Sequence, residues 1–267
     1  MVERLIMKKI KSESEFVWEI FLFVISLPVI IIKIILRKEK LSKLLMPLRE
    51  FVKFLFEPKI TITLITINIF VFILEIFYLT KEQIENLVFQ PAHIVQLNFY
   101  PIIASWFLHA SVAHLAGNML FLFIFGRVVE KEFGLKMLLI YFGSAIISDI
   151  VSAIAKQGGI GASGAIAGLV STAILIKPFY LTYLIVGIPL PLVIVGWLAI
   201  ISDITGILLP KNDNIGHFAH MGGYVATYIL VMFFNREQKE KMRIGKIVNL
   251  LVIISIILFY LFFISAK

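Results

Sequence analysis

The chain has 267 residues, of which 60% are hydrophobic and only 16% are charged, and its mean hydropathy is +0.98. A soluble domain is about half apolar and about a quarter charged, so a water-soluble globule is excluded. The lack of cysteine excludes disulfides, a thiolate nucleophile, iron–sulfur clusters and thiolate zinc sites. The net charge of +8 does not indicate a nucleic-acid partner, because Lys and Arg gather on the cytoplasmic side of membrane proteins.

The N-terminal region contains two segments that differ from an ordinary membrane span. Residues 16–36 are apolar but are interrupted by Glu19, Pro28 and Lys33, which favours a surface-lying or re-entrant segment. Residues 37–59 alternate basic residues with leucine, phenylalanine and valine at helical spacing. This pattern predicts a basic amphipathic helix that lies on a membrane surface.

Seven further apolar runs of about 16–24 residues follow, which is the length range of helices that enter a bilayer. They cover residues 61–80, 103–126, 135–155, 162–177, 191–208, 215–234 and 247–264. Short polar stretches or Gly and Pro residues separate them. The pattern predicts an all-α fold, a polytopic membrane helix bundle.

The basic residues predict the orientation of the spans. If residues 37–59 are cytoplasmic, the following basic residues are cytoplasmic too: Arg127, Lys131, Lys136, Lys177, Arg236, Lys239, Lys241, Arg243 and Lys246. The basic residues that would lie outside are Lys81, Lys156, Lys211 and the terminal Lys267. We also expect Arg127, Glu130, Lys131 and Glu132 to form a solvated cluster at the inner interface, or Glu130 to cap a helix or pair locally.

Three polar side chains are predicted to lie at nearly the same depth. Counting about 1.5 Å per residue from the basic residue at each inner helix end places His114, Ser163 and His220 about 20, 21 and 24 Å above the inner boundary of a core about 30 Å thick. For His114 that basic residue is Arg127. Because strongly polar side chains inside spans are costly and usually functional, these three residues are candidates for a site.

The fourth span is too short to cross the bilayer. Glycines at 158, 159 and 161 interrupt the chain, and a helix from residue 162 to Lys177 is about 23 Å long, so it begins inside the hydrocarbon layer. Ser163 then lies on the first turn, where unpaired amide hydrogens and the positive end of the helix dipole are found. Those groups would stabilise an oxyanion formed by reaction at Ser163.

Small residues would let these helices approach each other closely. On the fourth span they form a stripe of Gly161, Gly164, Gly168 and Ser171. The stripe on the sixth span consists of Gly216, His217, His220, Gly223 and Thr227. Close approach would let the Ser163 hydroxyl bond the His220 imidazole. On the second span, His114 and Asn118 are four residues apart and share a face.

With these motifs the chain resembles the rhomboid family of intramembrane serine proteases. The motifs are Gly161-Ala162-Ser163-Gly164, His114-x-x-x-Asn118, Ala219-His220-x-x-Gly223 and Gly126-x-x-x-Glu130-x-x-x-Gly134. The resemblance implies a six-helix protease core in residues 60–235. Residues 1–59 would then form an N-terminal apolar and amphipathic extension, and residues 236–267 a basic loop and a seventh transmembrane helix.

The resemblance also implies roles for individual residues. Ser163 would be the nucleophile and His220 the general base, and the Ser163 amide, His114 and Asn118 would hold the oxyanion. The protein would lie in the cell membrane and cleave membrane-anchored proteins in or near their transmembrane segments, without a metal or other cofactor. The implied catalytic unit is a dyad, which needs no orienting aspartate. Ala167 replaces the aromatic residue that usually stacks on the histidine, so another group must hold the His220 ring or activity is reduced.

Other functions have weaker support in the sequence. The tetrapeptide Ile-Ser-Asp-Ile occurs at residues 147–150 and 201–204, and paired aspartates could act as in an aspartyl protease, although the Gly-x-Gly-Asp setting of that class is absent. The His-Glu-x-x-His motif of zinc proteases is absent as well. A transporter would need an inverted repeat that the sequence lacks. A catalytically weak or silent relative that binds transmembrane helices stays open, and Ala167 favours it. His109 and His217 are expected to make structural hydrogen bonds.

Overall fold

The computed structural model describes residues 11–183, 187–209 and 215–265, and these ranges are mostly helical. The helices are α1 (Glu13–Ile35), α2 (Met46–Phe56), α3 (Lys59–Tyr78), α4 (Lys81–Leu87), α5 (Pro91–Val95), α6 (Phe99–Ser105), α7 (Val112–Phe133), α8 (Lys136–Ile154), α9 (Ser163–Ile176), α10 (Leu192–Leu208), α11 (His217–Leu230) and α12 (Arg236–Ser265). Short 3-10 turns and one antiparallel strand pair, β1 (Leu181–Thr182) and β2 (Leu190–Pro191), complete the described elements. Lys211 and Lys267, used in the orientation prediction, lie outside the described residues.

Five helices, α1, α3, α7, α8 and α12, are long and apolar enough to cross a membrane, and α9 and α10 are shorter apolar helices. The predicted all-α polytopic membrane bundle is therefore confirmed, and the chain is a multi-pass membrane protein. Helix α9 lies at the centre of the bundle, since every residue from Gly164 to Ile176 is buried. Its neighbours include α7, α8, α10, α11 and α12.

The second span, predicted over residues 103–126, begins later than predicted. Helix α6 ends at Ser105, and α7 begins only at Val112. The Ser111 hydroxyl accepts a hydrogen bond from the His114 amide at 3.1 Å. This N-cap bond satisfies an amide of the first turn and marks the start of a new helix inside the apolar run.

Helix α7 also ends later than predicted. It passes through a π-helical turn at Leu122–Gly126 and continues to Phe133. Arg127 is therefore inside the helix, and the depth derived for His114 loses its reference point. Arg127 is 1% exposed, and its guanidinium lies 3.7 Å from the centre of the Phe54 ring, so the expected solvated position for this residue is wrong.

Glu130 is buried as well, and its carboxylate caps the start of α3. It accepts hydrogen bonds from the amides of Ile60 and Thr61 at 3.0 and 2.9 Å and from the Thr61 hydroxyl at 2.8 Å. Residue 58, the N-cap of α3, is proline and provides no side-chain cap. The first-turn amides of α3 thus obtain their acceptor from α7. The capping alternative for Glu130 is confirmed, but its partner is not local, and the solvated position is wrong for this residue.

Helix α1 is unbroken for 23 residues, although it contains Pro28. Its length of about 35 Å is sufficient to cross a bilayer. A re-entrant path is therefore wrong for Glu13–Ile35, and the surface-lying alternative stays a prediction. A capping box formed by Ser12 and Glu15 defines the start of the helix.

The helix predicted over residues 37–59 is shorter than expected, since α2 covers Met46–Phe56 and follows a 3-10 turn. Its position on a membrane surface stays a prediction. Lys11 donates a hydrogen bond of 2.6 Å to Glu50, which connects α2 to the residues before α1. This bond holds the pKa of the Glu50 carboxyl below its usual range.

The small residues predicted to allow close helix approach do so between α8, α9 and α11. A side chain on Gly223 would overlap the carbonyl oxygen of Gly164, and one on Gly168 would overlap a serine of α8. Thr227 donates to the Gly168 carbonyl at 3.0 Å, and its hydroxyl lies 3.1 Å from that of Thr172. In a bilayer, such packing and interhelical hydrogen bonds hold helices together.

Candidate active site

The site is built around the start of α9. This helix begins at Ser163, one residue after the predicted start, so Ser163 lies on the first turn as predicted. Gly161 precedes it with a φ angle of +119°, a conformation that favours glycine. The Gly161 amide donates to the carbonyl of Ser105 at 2.8 Å, which ties the loop to α6. The amide groups of the first turn of α9 have no carbonyl partner within the helix, so this end can bind negative charge.

The two predicted donors of α7 lie against this loop. A Cβ atom on Gly161 would be 2.9 Å from Nε2 of His114 and 3.4 Å from Nδ2 of Asn118. Asn118 is buried, and its Nδ2 atom has no hydrogen-bond partner within the described residues. Buried donors without a partner are rare and costly, so this one is a strong candidate for a group that binds a ligand or a reaction intermediate.

Helices α9 and α11 bring the neighbours of Ser163 and His220 together. A Cβ atom on Gly164 would lie 3.7 Å from the carbonyl oxygen of Ala219. The Ser148 hydroxyl of α8 donates to the same carbonyl at 2.8 Å and fixes the first turn of α11. Ser163 and His220 are both half-buried. The close approach of these two helix turns is thus part of the fold.

The predicted bond between Ser163 and His220 is not formed in the described part of the chain, where the Ser163 hydroxyl makes no hydrogen bond. Hydrogen bonds between catalytic groups are often long or poorly aligned in structures without substrate, so this contact stays a prediction. His114 lies against Gly161, and Ala219, the residue before His220, lies against Gly164. The predicted base and the predicted oxyanion donor therefore both lie on elements that border the start of α9.

An aspartate that the sequence did not connect with His220 is the main addition to the site. Asp203 of α10 accepts hydrogen bonds at its Oδ1 atom from Nδ1 of His217 and from Nδ1 of His220, both at 2.8 Å. Its Oδ2 atom accepts a third bond, of 2.9 Å, from the Tyr224 hydroxyl. The dyad implied by the resemblance needs no orienting aspartate, but in this chain a carboxylate bonds His220.

The three donors to Asp203 share one face of α11. His217, His220 and Tyr224 are spaced three and four residues apart, which places them in one row on a helix. Gly206, one turn after Asp203, leaves room for the His217 ring, because any side chain there would overlap that ring. Two features of the sequence could have revealed the contact between α10 and α11. One is the single carboxylate in the otherwise apolar fifth span, and the other is this row of donors on the sixth span.

The aspartyl protease alternative is contradicted by the partners of its two carboxylates. Asp149 accepts a 2.7 Å hydrogen bond from Nε1 of Trp106, whereas Asp203 accepts from histidines and a tyrosine. The two aspartates thus have separate partners and do not share a proton. The other two histidines behave as expected, since Nδ1 of His109 lies 3.1 Å from the Phe107 carbonyl oxygen and His217 bonds between helices.

Ala167, at the position where the resemblance implies an aromatic residue, packs directly against α11. Ala167 is buried, and its Cβ would lie 2.7 Å from a Cβ placed on Gly223 of α11. A large side chain at this position would therefore push α9 and α11 apart. In this chain the close contact of the two helices occupies the space that an aromatic ring would need.

A model of the Rhomboid domain matches residues 96–237, just over half of the chain, and this range includes every residue of the candidate site. The chain is 32% identical over 158 residues to rhomboid protease AarA of Providencia stuartii, a match that covers 49% of this chain and 54% of that protein. It is 24% identical over 153 residues to rhomboid-like protease 3 of Toxoplasma gondii, with coverage of 52% and 53%. It is 29% identical over 151 residues to RHOMBOID-like protein 12, mitochondrial, of Arabidopsis thaliana, with coverage of 49% and 45%. The chain thus spans about half the length of these relatives.

Proposed function

The chain belongs to the rhomboid family, and we propose that it is an intramembrane serine endopeptidase of the cell membrane. Its substrates are membrane-anchored proteins, which it cleaves in or near their transmembrane segments. Residues 60–235 form the protease core in this proposal, with residues 1–59 and 236–267 as additions. The mechanism uses a Ser163–His220 dyad and requires no metal or other cofactor.

Catalysis begins when Nε2 of His220 accepts the proton of the Ser163 hydroxyl as Oγ attacks the scissile carbonyl carbon. The tetrahedral intermediate collapses, the C–N bond breaks, and the imidazolium gives its proton to the leaving amine. Water then attacks the Ser163 ester with His220 as base again, which releases the second product and restores the hydroxyl. The substrate helix must unwind locally to expose the scissile carbonyl, so helix-breaking residues near the bond favour cleavage.

The oxyanion is held by the amide of Ser163 and by side chains of His114 and Asn118. The observation that carries the proposal is the approach of His114 and Asn118 to Gly161, two residues before the serine, at 2.9 and 3.4 Å from its Cβ position. Asn118 adds a buried donor that lacks a partner within the described residues. Fixed donors at the place where negative charge develops are usually a large contribution to catalysis.

The direct test is cleavage of a reporter membrane protein in vesicles by the wild type and by Ser163→Ala. Cleavage and labelling by a fluorophosphonate, which reacts with an activated serine, are expected for the wild type and lost in Ser163→Ala. His220→Ala should be equally inactive, because the proposed mechanism uses His220 as its general base. Ser171→Ala, the same substitution two turns further along α9, is the matched control and should retain cleavage. Undiminished product from Ser163→Ala would reject the proposal.

Asn118→Ala tests the oxyanion donors. Removal of one donor typically lowers kcat by about 10²–10³-fold, so residual cleavage is expected, in contrast to the inactive Ser163→Ala. The variant should still bind substrate, and its KM should change much less than its kcat. Wild-type kcat in a folded Asn118→Ala protein would remove Asn118 from the mechanism.

A second candidate function is a catalytically weak or silent relative that binds transmembrane helices. Two observations favour it: the small side chain of Ala167, and the lack of a hydrogen bond to the Ser163 hydroxyl in the described part of the chain. This candidate predicts capture of transmembrane segments without cleavage and without fluorophosphonate labelling. Labelling of Ser163 would exclude a silent protein.

A further inference from the structure

The Asp203 carboxylate is held in one position by donors on both of its oxygens. It is 5% exposed, and it accepts bonds from Nδ1 of His217, Nδ1 of His220 and the Tyr224 hydroxyl at 2.8–2.9 Å. Burial of an unpaired carboxylate is very unfavourable, and three hydrogen bonds offset that cost. The carboxylate is therefore a fixed acceptor for the ring of His220, which belongs to a different helix.

This contact selects one form of the His220 ring. An ionised carboxylate can only accept hydrogen bonds, so Nδ1 of His220 must be the protonated nitrogen. In the neutral imidazole, Nε2 is then left without a proton. Nε2 is the nitrogen that has to accept the proton of Ser163 in the proposed mechanism.

The contact also restrains the orientation of the His220 ring. The His220 side chain is 19% exposed, and no aromatic residue stacks on it from position 167, where Ala167 packs against Gly223. Rotation of the ring would break the 2.8 Å bond from Nδ1 to Asp203. The aspartate therefore restricts the ring in orientation as well as in tautomer.

We infer that Asp203 is a positioning residue that holds His220 ready to act as the general base for Ser163. This inference rests on the proposed protease function and deepens it. When Nε2 takes the serine proton, the ring becomes an imidazolium, and the negative carboxylate 2.8 Å from Nδ1 stabilises that positive charge. Asp203 stays ionised throughout, and His217 and Tyr224 keep its carboxylate in place.

Two alternative roles for the cluster of Asp203, His217 and His220 predict different experimental results. Asp203 could serve only to fasten α10 to α11, in which case its loss would lower stability without a specific effect on kcat. Alternatively, the cluster could hold a cation, since ligand atoms of Asp203, His217 and His220 all lie within 4.8 Å of one another. The observed hydrogen bonds favour the positioning role, because both Nδ1 atoms donate to the carboxylate directly.

The test compares Asp203→Asn with Asp149→Asn. Both exchange an aspartate for its neutral isostere within the same tetrapeptide, but only Asp203 contacts a histidine. For Asp203→Asn we expect kcat in the reporter assay to fall by about 10²–10⁴-fold with little change in KM, by analogy with the aspartate of a serine protease triad. Asp149→Asn should retain the kcat of the wild type. The rate of fluorophosphonate labelling at Ser163 should follow kcat in both variants.

A spectroscopic measurement makes the test independent of turnover. A proton held between an imidazole and a carboxylate gives a far-downfield N–H signal in NMR spectra. His217→Gln removes the second imidazole, so that a single imidazole N–H signal remains to be assigned. In that background the His220 signal is expected in Ser163→Ala, where the serine is absent, and it should be lost when Asp203→Asn is added. Absence of the signal from the Ser163→Ala background would overturn the inference even if Asp203→Asn failed to fold.

The remaining outcomes separate the inference from the proposed function. An active wild type with equal kcat for Asp203→Asn and Asp149→Asn would overturn the positioning role and leave the protease function intact. A wild type that neither cleaves nor labels would reject the protease function first. Loss of wild-type cleavage in EDTA, with recovery on addition of Zn²⁺, would replace the positioning role by a metal site.

Discussion

Residues 147–150 of α8 and residues 201–204 of α10 have the same sequence, Ile-Ser-Asp-Ile. The serine is the buried residue in the first copy, and the aspartate is the buried residue in the second. In α8 the serine is buried and bonds the α11 backbone, while the half-buried aspartate bonds Trp106. In α10 the serine is exposed, and the aspartate is buried against two histidines and a tyrosine of α11.

The difference follows from helix geometry and from the neighbours of each helix. Successive residues on a helix point about 100° apart, so a serine and the next aspartate cannot both face the same partner. Helix α8 packs against both α9 and α11, and its serine face meets the carbonyl of Ala219. Helix α10 meets α11 with its aspartate face, and three residues later it has Gly206 where α8 has Ser152. Identical local sequences thus acquire a helix-packing role in one place and a role beside the candidate base in the other.

The largest effect is expected from Gly206→Ser. This substitution places a serine three residues after Asp203, as Ser152 is placed three residues after Asp149. The serine side chain would overlap the His217 ring and separate α10 from α11. Overpacking of this kind costs about 1–3 kcal/mol, and displacement of Asp203 adds the loss of its hydrogen bonds to His217 and His220 and should also reduce cleavage. The apparent melting temperature in detergent and the reporter assay measure both effects.

Gly117→Ser is the control for this substitution, because Gly117 is also helical and a Cβ there would meet nothing within 4 Å. The control should melt at the temperature of the wild type. If Gly206→Ser also melts at the temperature of the wild type, the space beside Gly206 does not contribute to the different burial of the two tetrapeptides.

An intermediate effect is expected from the partners of the two carboxylates. Trp106→Phe removes the one side-chain donor that Asp149 has within the described residues, and an unpaired half-buried carboxylate should cost about 1–3 kcal/mol. Tyr224→Phe should cost less, because Asp203 keeps both histidines. Melting temperatures of the two variants, measured side by side, decide this, and a larger loss for Tyr224→Phe would contradict it.

The smallest effect concerns the two serines. Ser148→Ala removes the interhelical bond to Ala219 and should lower stability by about 0.6–1.7 kcal/mol, the range of such bonds in membrane proteins. Ser202→Ala changes an exposed residue and should stay within about 0.5 kcal/mol of the wild type. Unfolding in denaturing detergent would resolve the pair, and equal losses would show that burial does not distinguish them.

Parts of the site were predictable because short-range patterns describe them. The start of α9 after a glycine-rich break placed Ser163 on a first turn, and the four-residue spacing of His114 and Asn118 placed two donors on one face. The small-residue stripes predicted the close contact of α9 and α11. In each case the relevant residues belong to one helix or lie next to it in the sequence.

The missed features depend on neighbours that are distant in the sequence. Glu130 is buried because it caps the start of α3, about 70 residues earlier, and hydropathy does not reveal such a partner. Arg127 is buried because Phe54 covers its guanidinium. The Asp203 contact requires α10 to present one particular face to α11, which the periodicity of an almost wholly apolar span does not specify.

The amino-acid sequence alone determined membrane insertion and helical structure. Hydrophobic length is a sum over adjacent residues, and a bilayer requires every backbone polar group to be hydrogen-bonded within the protein. Which polar side chains meet was decided by the rotation and approach of whole helices. That choice depends on shape complementarity between several helices at once, so two copies of one tetrapeptide could end beside a tryptophan and beside a pair of histidines.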